Sequence, residues 1–186
     1  MAILPVTQYG DSILNKKTGP VTKIDLSIIE LVSNMFDTME NADGVGLAAN
    51  QVGSNKSIFV IDVTDVKGCE PYGKMVFINP KITYRSPETV ILEEGCLSLP
   101  TLRAEVSRPK EIKIVYQDFE LKNQEFEADG FIARVIQHEY DHLQGIYFVD
   151  KVEDFRRKEL KDELIRVKNR QIDCDYPVTP KPKVKK

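Results

Sequence analysis

The order of the elements that the sequence predicts fits an α+β fold. A helical pattern of apolar residues at 28–39 is followed by strand-like segments between 57 and 128, and two more helical patterns lie at 131–143 and 153–172. Strands and helices that occupy separate stretches of a chain are typical of this class. With 186 residues, the chain has the size of one domain with a substantial core. We therefore expect a single domain over 1–173.

The first helix is predicted from apolar residues at helical spacing, with Asp25 or Ser27 as candidate N-cap. This stripe, which we interpret as core, consists of Ile28, Val32, Met35, Phe36 and Met39. The strands are predicted from apolar runs and from alternation of apolar and polar residues. They lie at 57–63, 75–79, 81–85, 89–92, 103–107 and 111–116, with 119–128 as a hairpin partner. Pro80 separates the second from the third, because proline cannot donate to a sheet ladder.

The helical pattern at 131–143 carries an H-E-x-x-H motif, whose two histidines are His138 and His142. Residues four apart on an α-helix share a face, so the two imidazoles can bind one metal ion. Glu139 lies about 100° around the helix from His138, where a general base acts on bound water. Gly145 is typical of the residue that follows a helix. A plain surface helix can carry the same motif, so the motif alone is not conclusive.

The histidine count limits the ligands of such a site. The chain contains only these two histidines, so a third protein ligand must be Cys, Asp or Glu. Cys96 stands at the end of a predicted strand, next to a glycine and close to a carboxylate, and has the reach of a ligand. Before the histidines are considered, a buried apolar thiol explains Cys96 equally well.

The last predicted helix, 153–172, has a narrow apolar face and dense charge elsewhere. The segment 174–186 is rich in proline and lysine and poor in apolar residues, so we expect a disordered tail. Its removal is expected to leave catalysis on short substrates unchanged.

Composition excludes several classes of protein. A net charge of −3 predicts neither nucleic-acid binding nor membrane attachment, and no apolar run reaches membrane-spanning length. The apolar N-terminus is short and lacks the basic flank of a signal peptide. Three cysteines, an odd number without tight spacing, argue against a disulfide framework and for a reducing compartment. We expect a cytoplasmic protein.

The segment 43–53 combines Gly44-x-Gly46 with small residues. A nucleotide-binding loop explains it poorly, because it follows a helix and lacks both a third glycine and a Gly-Lys-Ser/Thr sequence. Another chain could approach this sparsely covered backbone closely. A packing site for small residues explains the composition about as well.

Three stretches together resemble the motifs of the peptide deformylases of bacterial type, in that family's order. They are GVGLAANQ at 44–51, EGCLS at 94–98 and HEYDH at 138–142, and the resemblance covers about residues 1–170. It implies a catalytic domain of α+β class, with antiparallel strands around a central metal-binding helix, an N-terminal helix and a C-terminal helix. It also implies removal of the formyl group from the N-terminal formylmethionine of new polypeptides, with release of formate.

The resemblance assigns metal ligation to Cys96, His138 and His142, which agrees with the histidine count and leaves the fourth position to water. The implied metal is one Fe2+ per chain. A thiolate and two imidazoles suit Zn2+ as well or better, so the ligands alone do not select iron. We expect Zn2+, Ni2+ or Co2+ to be able to substitute.

The resemblance also implies catalytic roles. Glu139 would be the general acid and base, while the side-chain amide of Gln51 and the backbone N–H of Leu97 would form the oxyanion hole. Substrate-binding residues are expected to be Gly44, Val45, Gly46, Arg103, Phe131 and Val135. Among them, Val45, Phe131 and Val135 are candidate walls of a methionine slot, and the glycine-rich strand is a candidate for pairing with the peptide backbone.

Arginines near these motifs have several explanations. Arg103 and Arg108 are candidates to bind substrate carbonyls, or to hold Glu94 and Asp141 as partners of the metal ligands. Surface or structural ion pairs explain both at least as well.

The expected partners of the protein are N-formylmethionyl nascent peptides, and the C-terminal helix or tail is a candidate contact with the ribosome. Neither a membrane nor a specific nucleic-acid sequence is expected as a partner.

Two other functions compete with this interpretation. A zinc endopeptidase shares the H-E-x-x-H motif but usually takes its third ligand from a downstream Glu or His. No histidine follows the motif, and Glu153, Glu159 and Glu163 fall on the charged last helix. A non-catalytic, metal-stabilised domain would require four protein ligands, and only three candidates fit.

Overall fold

The computed structural model describes residues 2–181, which form seven strands and four α-helices. The helices are α1 (Leu26–Asn41), α2 (Gly130–Leu143), α3 (Asp154–Glu159) and α4 (Lys161–Lys168). The strands are β1 (Gly46–Ala48), β2 (Ile58–Asp62), β3 (Lys74–Arg85), β4 (Thr89–Cys96), β5 (Leu99–Pro109), β6 (Glu111–Gln117) and β7 (Asn123–Asp129). Within 2–181, no helix is long and apolar enough to cross a membrane.

The strands form a five-stranded sheet in the order β1-β2-β3-β6-β7 and a two-stranded ribbon of β4 and β5. Every neighbouring pair is antiparallel. Strand β2 is apolar on both faces because a helix covers each face: Ile58 and Val60 pack toward α1, whereas Phe59 and Ile61 pack toward α2. The predicted α+β fold with antiparallel strands is confirmed.

Helix α1 begins where the sequence predicts. The side chain of Asp25 accepts a hydrogen bond from the N–H of Ile28, which satisfies one of the free donors of the first turn. The predicted stripe faces the sheet, and Ile28, Val32, Met35 and Met39 are buried. The interpretation of this stripe as core is correct.

Helix α2 is the central helix, and ten of its 14 residues are buried. Its apolar residues pack against the five-stranded sheet, while its polar residues face the ribbon of β4 and β5. Gly145 follows its C-terminal end with φ +77°, and a Cβ there would lie 2.8 Å from the backbone of Asn15. Glycine is therefore required both by the backbone conformation and by the close approach of the N-terminal segment.

Several element boundaries differ from the predicted ones. Strands β4 and β5 extend beyond the predicted 89–92 and 103–107, β7 begins at 123 rather than 119, and β1 was not among the predicted strands. The segments 75–79 and 81–85 form one strand, β3, because Pro80 lies in a register shift between Ile78 and Lys81 where no ladder donor is needed. The predicted C-terminal helix is divided into α3 and α4, which meet at Leu160. Leu160 is buried against Leu164 and the ribbon, so core packing continues across the break.

The C-terminal segment differs most from its prediction. Within it, Val178 pairs with Val6 in a parallel bridge, in which the N–H of Val6 donates to the carbonyl of Pro177 (2.8 Å) and that of Thr179 to the carbonyl of Val6 (3.0 Å). Composition predicted disorder because the segment has few apolar residues. Composition does not register the backbone hydrogen bonds that this segment makes. The remaining part of the predicted tail, 182–186, lies outside the described residues.

Candidate metal centre and active-site cleft

The three predicted ligands meet where the ribbon contacts α2. Cys96 is the last residue of β4, and its Sγ lies 3.2 Å from Nε2 of His142. The candidate ligand atoms of Cys96, His138 and His142 all lie within 4.8 Å of one another. Ligands in a tetrahedral site are roughly 3.5 Å apart, so small adjustments would place these three donors around one ion. The residues present fit a metal, and their soft thiolate and imidazole donors suit a transition metal.

His138 is oriented by Glu94, whose Oε2 lies 2.8 Å from Nδ1 of the imidazole. A carboxylate only accepts hydrogen bonds, so Nδ1 carries the proton and Nε2 is left for the metal. Burial alone would raise the pKa of Glu94, but hydrogen bonds from His138 and Arg108 hold this pKa well below its usual range. Glu94 is therefore ionised and acts as a fixed acceptor.

Arg108 connects this carboxylate to α2. It contacts both carboxylate oxygens of Glu94 and also donates to Oδ2 of Asp141, and all three side chains are at least nine-tenths buried. Of the alternatives for Arg108, the structure shows the contacts with these two carboxylates, in a buried ion-pair network. Arg103 does not join this network; it lies beside Gly95 and lines the cleft.

A second buried arginine was not assigned a role from the sequence. Arg134 donates to Oε1 of Glu94 (2.8 Å) and to the carbonyl oxygens of Val106 (2.8 Å) and Val90. Arg134 precedes His138 by four residues on α2, so the two share a helix face. The spacing of four residues between Arg134 and His138 is the sequence signal from which a role for Arg134 could have been predicted.

The pKa values of the two imidazoles are shifted in opposite directions. Burial lowers the pKa of His142 well below its ordinary value, which favours the neutral form that binds metals. Burial would also lower the pKa of His138, but hydrogen bonds with Cys96 and Glu94 raise it well above the ordinary value. The backbone of His142 is fixed by Asn50, whose side-chain amide donates to its carbonyl at 2.6 Å.

Glu139 lies against β1 on the cleft side of the ligands. Burial raises the pKa of this carboxyl to about 7, a value suited to exchange of a proton near neutral pH. Among the described residues, Oε2 of Glu139 has no hydrogen-bond partner. A Cβ at position 46 would lie 2.5 Å from Oε1 of Glu139, so only glycine lets the strand and the carboxylate approach this closely.

Gln51 and Leu97 lie next to the ligands. The N–H of Ala48 donates to Oε1 of Gln51 at 2.8 Å, which fixes the orientation of the side-chain amide. Its Nε2 then donates to Oγ of Ser98 (3.2 Å) and lies 3.5 Å from Sγ of Cys96. The amide of Gln51 and the backbone that follows Cys96 thus adjoin one another at the metal centre.

A cleft of about 520 Å³ opens over this centre. All six predicted substrate-binding residues line it: Gly44, Val45, Gly46, Arg103, Phe131 and Val135. Val45 and Phe131 are 37% and 40% exposed, whereas Val135 is buried. The cleft has a further wall that the sequence analysis missed, formed by residues 173–176.

Comparison with known proteins agrees with this geometry. The family model for polypeptide deformylase matches residues 3–158. A peptide deformylase of Salinibacter ruber is 43% identical, covering 96% of this chain and 95% of that protein. A peptide deformylase of Brachyspira hyodysenteriae is 44% identical, with 88% of each chain covered.

Solved structures give the same result. The crystal structure of Ehrlichia chaffeensis peptide deformylase in complex with actinonin has a TM-score of 0.82 and 38% identity, covering 93% of this chain and all of that one. The Thermotoga maritima peptide deformylase has a TM-score of 0.76 and 41% identity, covering 82% and 99% of the two chains. A zinc endopeptidase is not favoured by these relationships. The chain belongs to the peptide deformylase family, metal-dependent hydrolases that remove the formyl group from the N-terminal formylmethionine of newly made polypeptides.

Proposed function

We propose that Cys96, His138 and His142 hold one Fe2+ ion per chain, which Zn2+, Ni2+ or Co2+ can replace. The observation that supports this most strongly is the convergence of one thiolate and two imidazole donors within 4.8 Å at the floor of the cleft. A metal ion held there supplies Lewis acidity, which lowers the pKa of a water molecule and polarises the formyl carbonyl. Glu94, through Nδ1 of His138, keeps the imidazole directed toward the ion.

In this proposal Glu139 moves the proton. Its carboxylate accepts a proton from the attacking water and then delivers it to the amine that leaves as the formyl C–N bond breaks, so the products are formate and a free amino terminus. Its raised pKa and its partner-free Oε2 among the described residues support this role. Strand β1 approaches this carboxylate closely at Gly46, where a Cβ would lie 2.5 Å from Oε1.

Gln51 and Leu97 stabilise the charge that develops on the formyl oxygen. Nε2 of Gln51 and the backbone N–H of Leu97 are the proposed donors, and donors placed before the reaction need no reorganisation during it. The hydrogen bond from Ala48 to Oε1 of Gln51 supports the assignment, because it fixes which end of the amide faces the centre.

The substrate peptide is proposed to bind along β1. This strand is an edge of the five-stranded sheet, and Gly44 and Val45 lie directly before it. The glycine-rich segment Gly44–Gly46 is therefore the proposed place for an extended peptide to add by strand pairing. Val45, Phe131 and Val135 are the proposed walls of the methionine slot, and Arg103, which also lines the cleft, is proposed to bind substrate carbonyls.

We also propose a cytoplasmic location and a contact with the ribosome. A reducing compartment would preserve the thiol of Cys96.

For the ribosome contact, the groove beside α3 and α4 offers a set of basic residues, together with the acidic Asp154, to a phosphate-rich particle. The basic residues are Arg157, Lys158, Lys161 and Lys168. Ribosome co-sedimentation tests this contact: Lys161→Glu with Lys168→Glu should reduce it, whereas Lys122→Glu, in the β6–β7 loop, should not. The tail lysines beyond residue 181 lie outside the described residues.

Formate release from a formyl-methionyl peptide by anaerobically purified, iron-loaded protein tests the central proposal. Cys96→Ala should lose both the metal and formate release. Metal analysis that finds full occupancy in Cys96→Ala would contradict the assigned ligand set. Cleavage of internal peptide bonds by that variant would instead indicate an endopeptidase.

A further inference from the structure

The C-terminal segment 173–179, here called the C-terminal strap, has no assigned function in the proposals above. It crosses the molecule between the end of the helical region and the N-terminal segment, and four of its residues line the catalytic cleft: Asp173, Cys174, Asp175 and Tyr176. The strap therefore lies at the reacting end of the cleft and not on a distant surface.

The strap is fixed beyond the cleft by a compact set of polar contacts. Nη2 of Arg170 lies 2.8 Å from each carboxylate oxygen of Asp11, and Oγ1 of Thr179 donates to the same carboxylate at 2.9 Å. Nε of Arg170 donates to the carbonyl of Thr179 at 2.8 Å. Because Arg170 and Asp11 are both largely buried, this clamp holds the strap in one position.

The contact of the strap with the centre is made by Tyr176. Its hydroxyl donates to the carbonyl oxygen of Leu97 at 2.8 Å, and Nε2 of Gln8 donates to the same oxygen at 3.2 Å. Burial raises the pKa of Tyr176, so the hydroxyl keeps its proton and remains a donor at neutral pH. The carbonyl of Leu97 thus receives two hydrogen bonds from parts of the chain outside its own ribbon.

The contact with Leu97 matters for the reaction because of where Leu97 lies. Leu97 directly follows the ligand Cys96, at the bend between β4 and β5 where the pairing register shifts. A bend of this kind has few ladder hydrogen bonds of its own, so external contacts decide its orientation. An error of about 1 Å in the position of a group that meets the reacting atoms can cost on the order of a hundredfold in rate.

We propose that the C-terminal strap is part of the active site and that Tyr176 is a positioning residue. Its hydroxyl holds the carbonyl of Leu97, which lies in the peptide unit after the one that carries the N–H of Leu97. By fixing this next unit, Tyr176 restricts the dihedral angles of Leu97 and so keeps its N–H directed toward the formyl oxygen. The proposal rests on the oxyanion role of Leu97 given above. The strap also closes one side of the cleft, which limits the paths by which the substrate peptide can leave the metal centre.

The test compares the full-length, metal-loaded protein with Tyr176→Phe, which removes only the hydroxyl. We expect kcat for a formyl-methionyl peptide to fall about three- to tenfold, as for loss of one hydrogen bond, with KM changed less than about twofold. Tyr84→Phe is the matched control, because Tyr84 is an exposed tyrosine of β3 outside the cleft, and it should leave kcat unchanged.

A second measurement, which does not depend on activity, is amide hydrogen exchange. Exchange at 95–99 should become faster in Tyr176→Phe and stay at the parent rate in Tyr84→Phe, because only the first loses an anchor of Leu97. An unchanged kcat would overturn the proposal. A lower kcat with unchanged exchange at 95–99 would also overturn it, since Tyr176 would then act on the substrate rather than on Leu97.

Truncation after Ile172 provides an independent variant. It removes the strap, so kcat should fall at least as far as in Tyr176→Phe, although composition alone predicted no effect. A truncated protein that keeps the parent kcat would contradict the proposal. If the parent itself released no formate, the proposed function would fail, whereas hydrogen exchange at 95–99 would still show whether Tyr176 orders this segment.

Discussion

At the scale of single residues, Gly46 is the glycine of the cleft at which an added Cβ would have the least room. A Cβ at position 46 would lie 2.5 Å from Oε1 and 2.9 Å from Cδ of Glu139, so the carboxylate would have to move. We predict that Gly46→Ala lowers kcat at least tenfold while metal content stays near the parent value. Gly19→Ala is the control, because a Cβ there meets only Asn55 at 3.4 Å. Parental kcat in Gly46→Ala would contradict this account.

Variants of Glu139 and of its neighbour His138 distinguish a role in proton transfer from a role in metal binding. Glu139→Ala should retain the metal and lose turnover, because its carboxylate is proposed to move a proton and not to bind the ion. His138→Ala should lose both, since it removes one of three protein ligands. Metal analysis together with formate release makes the comparison. Equal loss of metal in the two variants would show that Glu139 is also a ligand.

At the scale of elements, a buried ionic network joins the ribbon to α2. Arg134 and Arg108 both contact Glu94, and the three side chains are 3–6% exposed. We predict that Arg134→Met lowers the free energy of unfolding by about 3 kcal/mol, because it leaves Glu94 with one cation fewer and two backbone carbonyls without a donor. Urea denaturation measures this difference.

The matched control for Arg134 is an exposed pair on α3. Arg156 and Glu159 are each more than half exposed, so solvent screens their attraction. Arg156→Met should change the free energy of unfolding by less than about 1 kcal/mol. Similar losses in the two variants would mean that the network on α2 contributes no more than an ordinary surface ion pair.

At the scale of the whole molecule, the proposed metal site joins parts of the chain that are distant in sequence. Cys96 comes from the ribbon, whereas His138 and His142 come from the central helix. A ligand at a hundred times its Kd stabilises the folded state by about 2.7 kcal/mol. For a protein of this size that corresponds to roughly 5–10 °C in Tm. We therefore predict that a chelator lowers the Tm of the metal-loaded protein by this amount.

The control for metal removal is Cys96→Ala, whose Tm should not respond to the chelator. The comparison isolates the site from any general effect of the chelator on the protein. An unchanged Tm in the parent would show that the bound metal adds nothing to folding, although it serves catalysis.

The amino-acid sequence by itself determined the proposed ligand pair and the main elements of this protein. His138 and His142 are four residues apart on one helix, and the burial of α1 follows from its own apolar spacing. Such features depend on neighbours within one or two turns, and local periodicity is sufficient to predict them. Cys96 was also predictable, because the chain has only two histidines and a resemblance in motif order supplied the third ligand.

Only the tertiary structure decided the partners that surround the site. Tyr176 contacts Leu97 across 79 residues, and Arg170 contacts Asp11 across 159, so no periodicity in the sequence relates them. Composition predicted a disordered tail because it counts apolar side chains, whereas this segment is held by hydrogen bonds and a buried ion pair whose partners the fold brings close. The physical reason is that these contacts stabilise the segment only after the N-terminal segment and the ribbon have already been placed by the packed core.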